Sequence, residues 1–374
     1  MNAFLKVSLL FTSFVLVSCS SGFGNSSISD SSEACTISYE EYGSGWMVSA
    51  VAGECDHLVI PQSYQGKSVL SIGPGAFRAN AKVKNVTLPA TVSSIDFDAF
   101  YLWETPIVKV DVVEDSPYFV YSAGALLSRN AEDLYFCTRD VNLTSFSLPT
   151  VKQIKGYAFW NNKFADTVVF HKDVNLVASC CFSGSHVRIS FDGVSTNYVE
   201  EGGVLCSGDK VFWVNGSTKT VTIPAGKKIS DTPFSLMNTY LTDIVIPEDD
   251  PFLFSVGGVV FSRFLGHNSL FFYPCGRTDS YYICPEETDG VFALSLSFNP
   301  WLEKLVIQRI RVTASPSATS YACDNFLGFF VTEPVTSRFT LGELGRPVFV
   351  YSETEPEPNQ HDTWHYVNGE PVFW

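Results

Sequence analysis

A short pattern that returns along the chain limits its folding more than any other feature. An aliphatic residue is followed, four and five places on, by a small residue and a Phe. It stands in Ile72-Gly-Pro-Gly-Ala-Phe77, Ile95-Asp-Phe-Asp-Ala-Phe100, Ile154-Lys-Gly-Tyr-Ala-Phe159, Val177-Ala-Ser-Cys-Cys-Phe182 and Ile229-Ser-Asp-Thr-Pro-Phe234. Val291-Phe-Ala-Leu-Ser-Leu296 is a degenerate copy with Leu for Phe. The steps from Ile72 to Ile95 and from Ile154 to Val177 are both 23 residues. Apolar residues continue past each Phe at shared offsets. After Phe77 come Val83, Val86, Leu88, Pro89, Val92 and Ile95; after Phe159 come Ala165, Val168, Phe170, Val174 and Val177. After Leu296 come Leu302, Leu305 and Ile307, and after Phe234, with one residue inserted, Leu241, Ile244, Ile246 and Pro247. The last two apolar residues alternate, as a half-buried strand requires. One such unit cannot bury its inward side chains. Stacked copies bury them against each other, so the expected fold is a β-rich solenoid.

A second module lies between the paired repeats and explains the longer steps. Ser116-Pro-Tyr-Phe leads to Gly124-Ala-Leu-Leu-Ser128 and Leu134-Tyr-Phe136. Tyr198 leads to Gly203-Val-Leu-Cys-Ser207 and Val211-Phe-Trp213, and Asp250-Pro-Phe leads to Gly258-Val-Val-Phe-Ser262 and Leu270-Phe-Phe272. Two apolar runs joined by a polar turn read as a β-hairpin.

Composition agrees. The chain is 45% hydrophobic but only 17% charged, and it is rich in Phe and Tyr, which favour strands over helices. A net charge of −15 repels phosphates, so no nucleic-acid partner is expected. Lys152, Lys155, Lys227 and Lys228 come nearest to a basic cluster and read as solvated lysines.

The start of the chain reads as an export signal. Lys6 precedes an apolar run from Val7 to Val17, which suits a signal peptide and is too short to span a bilayer. Leu16-Val17-Ser18-Cys19 resembles the lipobox of bacterial lipoproteins. That resemblance implies cleavage before Cys19, lipid attachment to its sulfur and anchoring in a membrane, for which two acyl chains suffice. The Ser-rich stretch that follows reads as a flexible tether. No other segment approaches the length of a transmembrane helix.

Over most of residues 36–330 the repeats and hairpins resemble the BspA-like leucine-rich-repeat family. Its pattern I-G-x-x-A-F-x-x-N-x-x-L-x-x-V-x-I-P-x-x-V is nearly quoted by Ile72 to Val92. Tyr39-Glu-Glu-Tyr-Gly-Ser-Gly-Trp46 and Leu58-Val-Ile-Pro61 resemble the cap that precedes such repeats. Tyr351-Ser-Glu-Thr-Glu-Pro356 and Trp364-His-Tyr-Val-Asn-Gly-Glu-Pro371 resemble a closing segment, while residues 308–340 fit poorly. The implied layout has a signal peptide at 1–18, a tether at 19–34 and an N-terminal β cap at 35–70. Leucine-rich repeats of about 23 residues with hairpin insertions fill 71–310, and a C-terminal cap with an acidic, Pro-rich tail fills 311–374. The resemblance implies a surface lipoprotein for adhesion or host-factor binding, with a protein or glycan partner and no cofactor. A scaffold facing the bacterium's own envelope is the alternative.

The outward strand positions are the natural contact residues of a solenoid. They are Lys84, Thr87, Asp166, Thr167, Val169, Thr242, Asp243, Val245, Glu303, Lys304 and Val306. Trp160 and Tyr101 follow the Ala-Phe of their repeats, where other copies have Arg78, Ser183 or Ser235, and Trp103 stands close by. An aromatic residue there is either an exposed anchor or a plug beneath a hairpin. Nine cysteines remain after Cys19. Cys35 with Cys55 would staple the N-terminal cap and Cys275 with Cys284 could cross a hairpin. The adjacent Cys180 and Cys181 would point opposite ways on a strand, and most cysteines read as small buried hydrophobes.

Motifs for catalysis are missing: no Gly-x-Ser-x-Gly, His-Glu-x-x-His, phosphate loop or dinucleotide fingerprint occurs. His361 and His365 have metal-ligand spacing only if helical, which Pro356, Pro358 and Pro371 oppose. Glu248, Asp249 and Asp250 read as a solvated turn rather than a Ca²⁺ site. An enzyme would require a nucleophile such as Cys206 beside His186, with a depressed thiol pKa. The expectation is a binding protein, not an enzyme.

Overall fold

The computed structural model describes residues 15–16, 35–77, 81–100, 107–176, 179–230, 232–264, 266–292, 294–308, 323–332, 346–357 and 362–374. Cys19, Tyr101, Trp103 and His361 lie outside the described residues, as does the export segment apart from Val15–Leu16. Two compact units form: Met1–Asp140 with Lys155–Ala158, and Val141–Ile154 with Phe159–Trp374. Each is a β-rich solenoid built of stacked turns.

In the first unit, strand Thr36–Tyr42 pairs antiparallel with the long strand Gly45–Val59. Trp46 to Val48 then pair parallel with Val69 to Ile72, and Gly53 to Val59 with Ala81 to Thr87. Strand Ala81–Leu88 passes the ladder on to Lys109–Val112. One strand is therefore both cap and first rung, and pairing has no break at residue 70. The repeat offsets become the interior: Ile72, Phe77, Val83, Val86, Leu88, Val92 and Phe100 are all buried together. Phe77 stacks on Phe100 at 5.5 Å, and Phe100 meets the edge of Phe136 at the same distance. Each buried Phe contributes about 1.5–3 kcal/mol, so stacking equivalent residues is the main source of stability.

Besides the parallel pairing of His267–Phe272 with Thr288–Val291, the described residues of the second unit carry three parallel ladders. Ser145–Leu148, Thr167–Phe170 and Arg188–Phe191 form one, and Thr220–Thr222 with Asp243–Val245 a second. The third joins Tyr281–Ile283, Lys304–Ile307, Gly328–Val331 and Val348–Tyr351, then Thr363–Val367. Repetition thus continues past the expected boundary at residue 310. Phe326, Phe329 and Val331 are buried at the spacing of Leu302, Leu305 and Ile307. This turn escapes the sequence pattern because Phe replaces its Leu residues.

The inserted modules differ from expectation in one respect: each is a meander of three strands rather than a hairpin of two. The first strands are Phe119–Ser122, Val199–Glu201 and Leu253–Val256. They lie at the sheet edge, partly exposed, and so lack the apolar alternation that betrays a half-buried strand. The turn into the second strand has two residues of positive φ in all three: Ala123-Gly124, Gly202-Gly203 and Gly257-Gly258. A tight hairpin of this hand needs such residues, which is why Gly recurs there. The register slips at the same place in each module, after Leu126, Leu205 and Val260.

Corners between turns are held by buried Asn. Asn299 donates to the carbonyls of Pro274 and Arg277 at 3.0 and 2.9 Å and accepts from the amides of Trp301 and Leu302 at 2.9 and 2.8 Å. Asn238 donates to Val214 and Gly216 and accepts from Tyr240, and Asn162 accepts from Phe164 and Ala165. These bonds satisfy backbone groups at the bends, where no ladder reaches them.

Candidate interaction surface

Alternation along the ladders sends every second side chain outward. In the second unit, Ser145, Thr167 and Arg188 share one row, and Ser147, Val169 and Ser190 the next. Thr220 pairs with Asp243, and Thr222 with Val245, which is 44% exposed. Tyr281 and Ile283 continue this outward set beside Lys304 and Val306. In the first unit, Lys84 is exposed and Thr87 partly so, while Val83, Val86 and Leu88 face inward.

Local partners fix many of these side chains. Lys84 Nζ lies 2.7 Å from Asp56 Oδ1, and this bond holds the exposed Asp56 carboxyl below its ordinary value. Thr87 Oγ1 is 2.8 Å from His57 Nε2. Asp166 Oδ1 lies 3.0 Å from His186 Nε2, and Thr239 Oγ1 is 3.4 Å from the other ring nitrogen. Thr242 Oγ1 lies 3.1 Å from Lys219 O and 2.8 Å from Oδ2 of its neighbour Asp243, whose other oxygen is 3.6 Å from Arg277 Nη1. Glu303 is partly buried, and its carbonyl accepts from the Leu327 amide.

Beside this row an open groove of about 430 Å³ is lined by Arg277, Asp279, Ser280, Tyr281, Tyr282 and Ile283. Asp279 Oδ2 accepts from Tyr273 Oη and Arg277 Nε, both at 2.9 Å. Burial works to raise the Asp279 carboxyl, but donation from Arg277 and Tyr273 brings it below its ordinary value. Burial and this acidic neighbour push the Tyr273 phenol up.

Some expected contact residues are not on the surface. Trp160 is 1% exposed and meets Phe298 at 5.1 Å and Phe234 at 6.3 Å, edge to face. It is a buried plug packed on residues of two later repeat turns, not an exposed anchor. Its position points inward because those rings leave room for an indole. Val306 is 2% exposed, packed with Phe330 and Trp364. Lys304 reaches over them, donates to Pro371 O at 2.7 Å and lies 5.8 Å from the Phe373 ring. The cause is the antiparallel hairpin of Thr363–Val367 and Glu370–Phe373, which folds against the outer side of the last rungs. Nothing in the repeat offsets announces it.

Cys35 and Cys55 form a disulfide. Cys275 and Cys284 are free and buried, and burial pushes both thiols up. Cys180 and Cys181 lie on a short 3₁₀ helix, Ser179–Phe182, rather than on a strand. Burial also raises the Cys206 thiol, whereas a nucleophile would need it lowered. His365 sits on a strand, and Asp250 Oδ1 accepts from the amides of Phe252 and Leu253 to cap a turn. Among the described residues no cluster of His, Cys, Asp or Glu could hold a metal, and no helix is long and apolar enough to cross a membrane.

With rungs, corners and outward rows in place, comparison with known proteins decides the family. The model of the BspA type leucine-rich repeat region matches residues 55–118 and 132–252 in 6 copies. The chain belongs to the BspA-type leucine-rich-repeat family. Such membership carries a role of the protein-interaction or adhesion type. No curated protein is similar enough to match. The chain is similar to a leucine-rich cell surface protein from Faecalibacterium prausnitzii, with 14% identity, 84% of each chain covered and a TM-score of 0.33. It is also similar to the pneumococcal vaccine antigen PcpA, at 13% identity, covering 85% of this chain and 92% of that one, with a TM-score of 0.26. A leucine-rich-repeat protein from Bacteroides ovatus shares 16% identity over 84% of this chain and 74% of its own, with a TM-score of 0.28.

Proposed function

We propose that this BspA-type chain is exported, lipid-anchored through Cys19 and displayed on the bacterial surface. There its ladder binds a protein or glycan partner in adhesion or host-factor recognition. The observation that carries the reading is the outward row of the second unit. Ser147, Val169 and Ser190 stand in register on one ladder and Thr222 with Val245 on a second, partly or fully exposed and mixed in chemistry. Side chains fixed on rigid strands bind with little loss of conformational freedom, and a graded polar and apolar row suits a broad macromolecular partner. The Ser-rich stretch after Cys19 supports the tether, and the net charge of −15 argues against phosphate-rich partners.

Two measurements test this. Protease applied to intact cells should digest the mature chain; protection until lysis would overturn surface display and favour an inward-facing scaffold. The lipid-free chain should bind saturably to at least one component of an array of matrix proteins and glycans. Val169→Glu with Val245→Glu should then weaken that binding about tenfold or more, because two charges would meet an apolar contact. Unchanged binding would remove the ladder row from the site.

A further inference from the structure

The closing hairpin carries aromatic side chains on both of its faces. Trp364 faces the rungs and is buried, but Tyr366 is 38% exposed, Phe373 36% and Trp374 42%. The Trp374 ring is open to solvent yet fixed. It lies against the His365 ring at 3.8 Å between centroids, and its Nε1 donates to Ser352 O at 3.0 Å. Its backbone amide meets Thr363 O at 3.4 Å. The indole is therefore held between two chain segments, and in each an exposed acid is next in sequence to the point of attachment. Glu353 follows Ser352, and Asp362 precedes Thr363. Glu355, Glu357 and Glu370 are exposed on the same stretch of chain.

Among the described residues none of these five acids makes an ion pair, and Lys304 and Arg346 are engaged with backbone carbonyls. Lys304 donates to Pro371 O and Arg346 to Cys323 O. A fixed aromatic ring beside unpaired carboxylates is the chemistry that receives a Lys or Arg side chain: the ring attracts the cation and the acids bind its N–H groups.

We propose that Trp374, flanked by Glu353 and Asp362, docks a Lys- or Arg-bearing segment of a protein partner. The cation lies against the open side of the indole. This platform is separate from the ladder row, so its failure leaves the reading of that row untouched, and the reverse also holds.

The test must separate a site from general attraction, because a chain of net charge −15 draws any polycation. Titration calorimetry and tryptophan fluorescence of the mature chain with hexa-arginine, at about 150 mM salt, provide the separation. Trp374→Leu and the pair Glu353→Gln with Asp362→Asn should each weaken binding about tenfold, while Trp374→Phe should retain much of it. The pair Glu248→Gln with Asp249→Asn removes the same charge elsewhere and should cost less than about twofold. Any of three results would overturn the proposal: no saturable binding, Trp374→Leu equal to the parent, or both charge pairs weakening binding alike. Circular dichroism identifies a variant that has lost its fold. Trp374→Phe, which keeps a ring on the hairpin, then decides through its binding relative to the parent.

Discussion

The first rung of the first unit and the last rung of the second are closed by different chemistry. At the first, strand Thr36–Tyr42 lies against Gly45–Val59, and the disulfide Cys35–Cys55 ties one to the other. Aromatic contacts there are local: Tyr39 stacks on Tyr64 at 4.2 Å, and Trp46 donates to Tyr64 O at 2.8 Å. At the last, no disulfide appears among the described residues. A hairpin closes the ladder instead, with Trp364, Phe330, Phe349 and Phe373 packed at 4.7–5.6 Å. A rung at the end of a stack exposes apolar surface and open backbone groups, and each end must cover them. A covalent staple acts mainly on the unfolded chain. Aromatic packing acts on the folded one and requires a precise partner surface.

The largest effect should come from breaking the aromatic closure. Trp364 is fully buried and donates to Val331 O at 3.1 Å. Trp364→Ala should cost about 3–5 kcal/mol in chemical denaturation, confined to the second unit. A loss below about 1 kcal/mol would mean that the hairpin is not a closure. Next comes the staple. Cys35→Ser opens a loop with a sequence separation of 20 and should cost about 3 kcal/mol in the first unit. Reductant should reproduce that loss in the parent and leave the second unit unchanged in hydrogen exchange.

A smaller effect sharpens the contrast. Lys304→Met keeps the apolar stem but loses the bond to Pro371 O, and about 1 kcal/mol should go with it. The readout is faster amide exchange at Glu370–Phe373. The smallest effect belongs to Tyr39, whose hydroxyl is buried without a partner. Tyr39→Phe should leave stability at neutral pH unchanged or slightly raised, since an unpaired hydroxyl is removed. Burial, with Tyr64 beside it, pushes the Tyr39 phenol up to about 12. The neutral phenol is thus favoured by folding. Its contribution is complete below about pH 10, where the unfolded chain begins to ionise, and is lost as pH rises through 12. Tyr39→Phe should remove that part of the alkaline transition of the first unit, and persistence of the full transition would refute the assignment.

Much of the ladder was legible from residues alone, because stacking requires the same residue type at the same offset in each turn. Phe77, Phe100, Phe159 and Phe182 share one offset in the repeat, and all four are buried. The edge strands of the meanders were not legible, since a strand with little buried face carries no alternation. The turn at Cys323–Val331 was hidden because a solenoid interior accepts Phe for Leu, and burial sees volume and polarity rather than identity. Trp160 shows the limit within a good alignment. Its offset was known, but whether the ring faces solvent depended on Phe234 and Phe298, which stand far away in the chain.

What the sequence determined by itself was periodicity: which residues face inward, how long a turn is, and therefore a β solenoid of this family. What only the tertiary structure decided was the fate of the outward face. Val306 and Lys304 have the same register as exposed positions on other rungs, yet the closing hairpin covers one and ties down the other. The reason is physical. Inward burial repeats with the local pattern, while outward burial depends on a segment that returns from residues 363–373, and no local spacing encodes that contact.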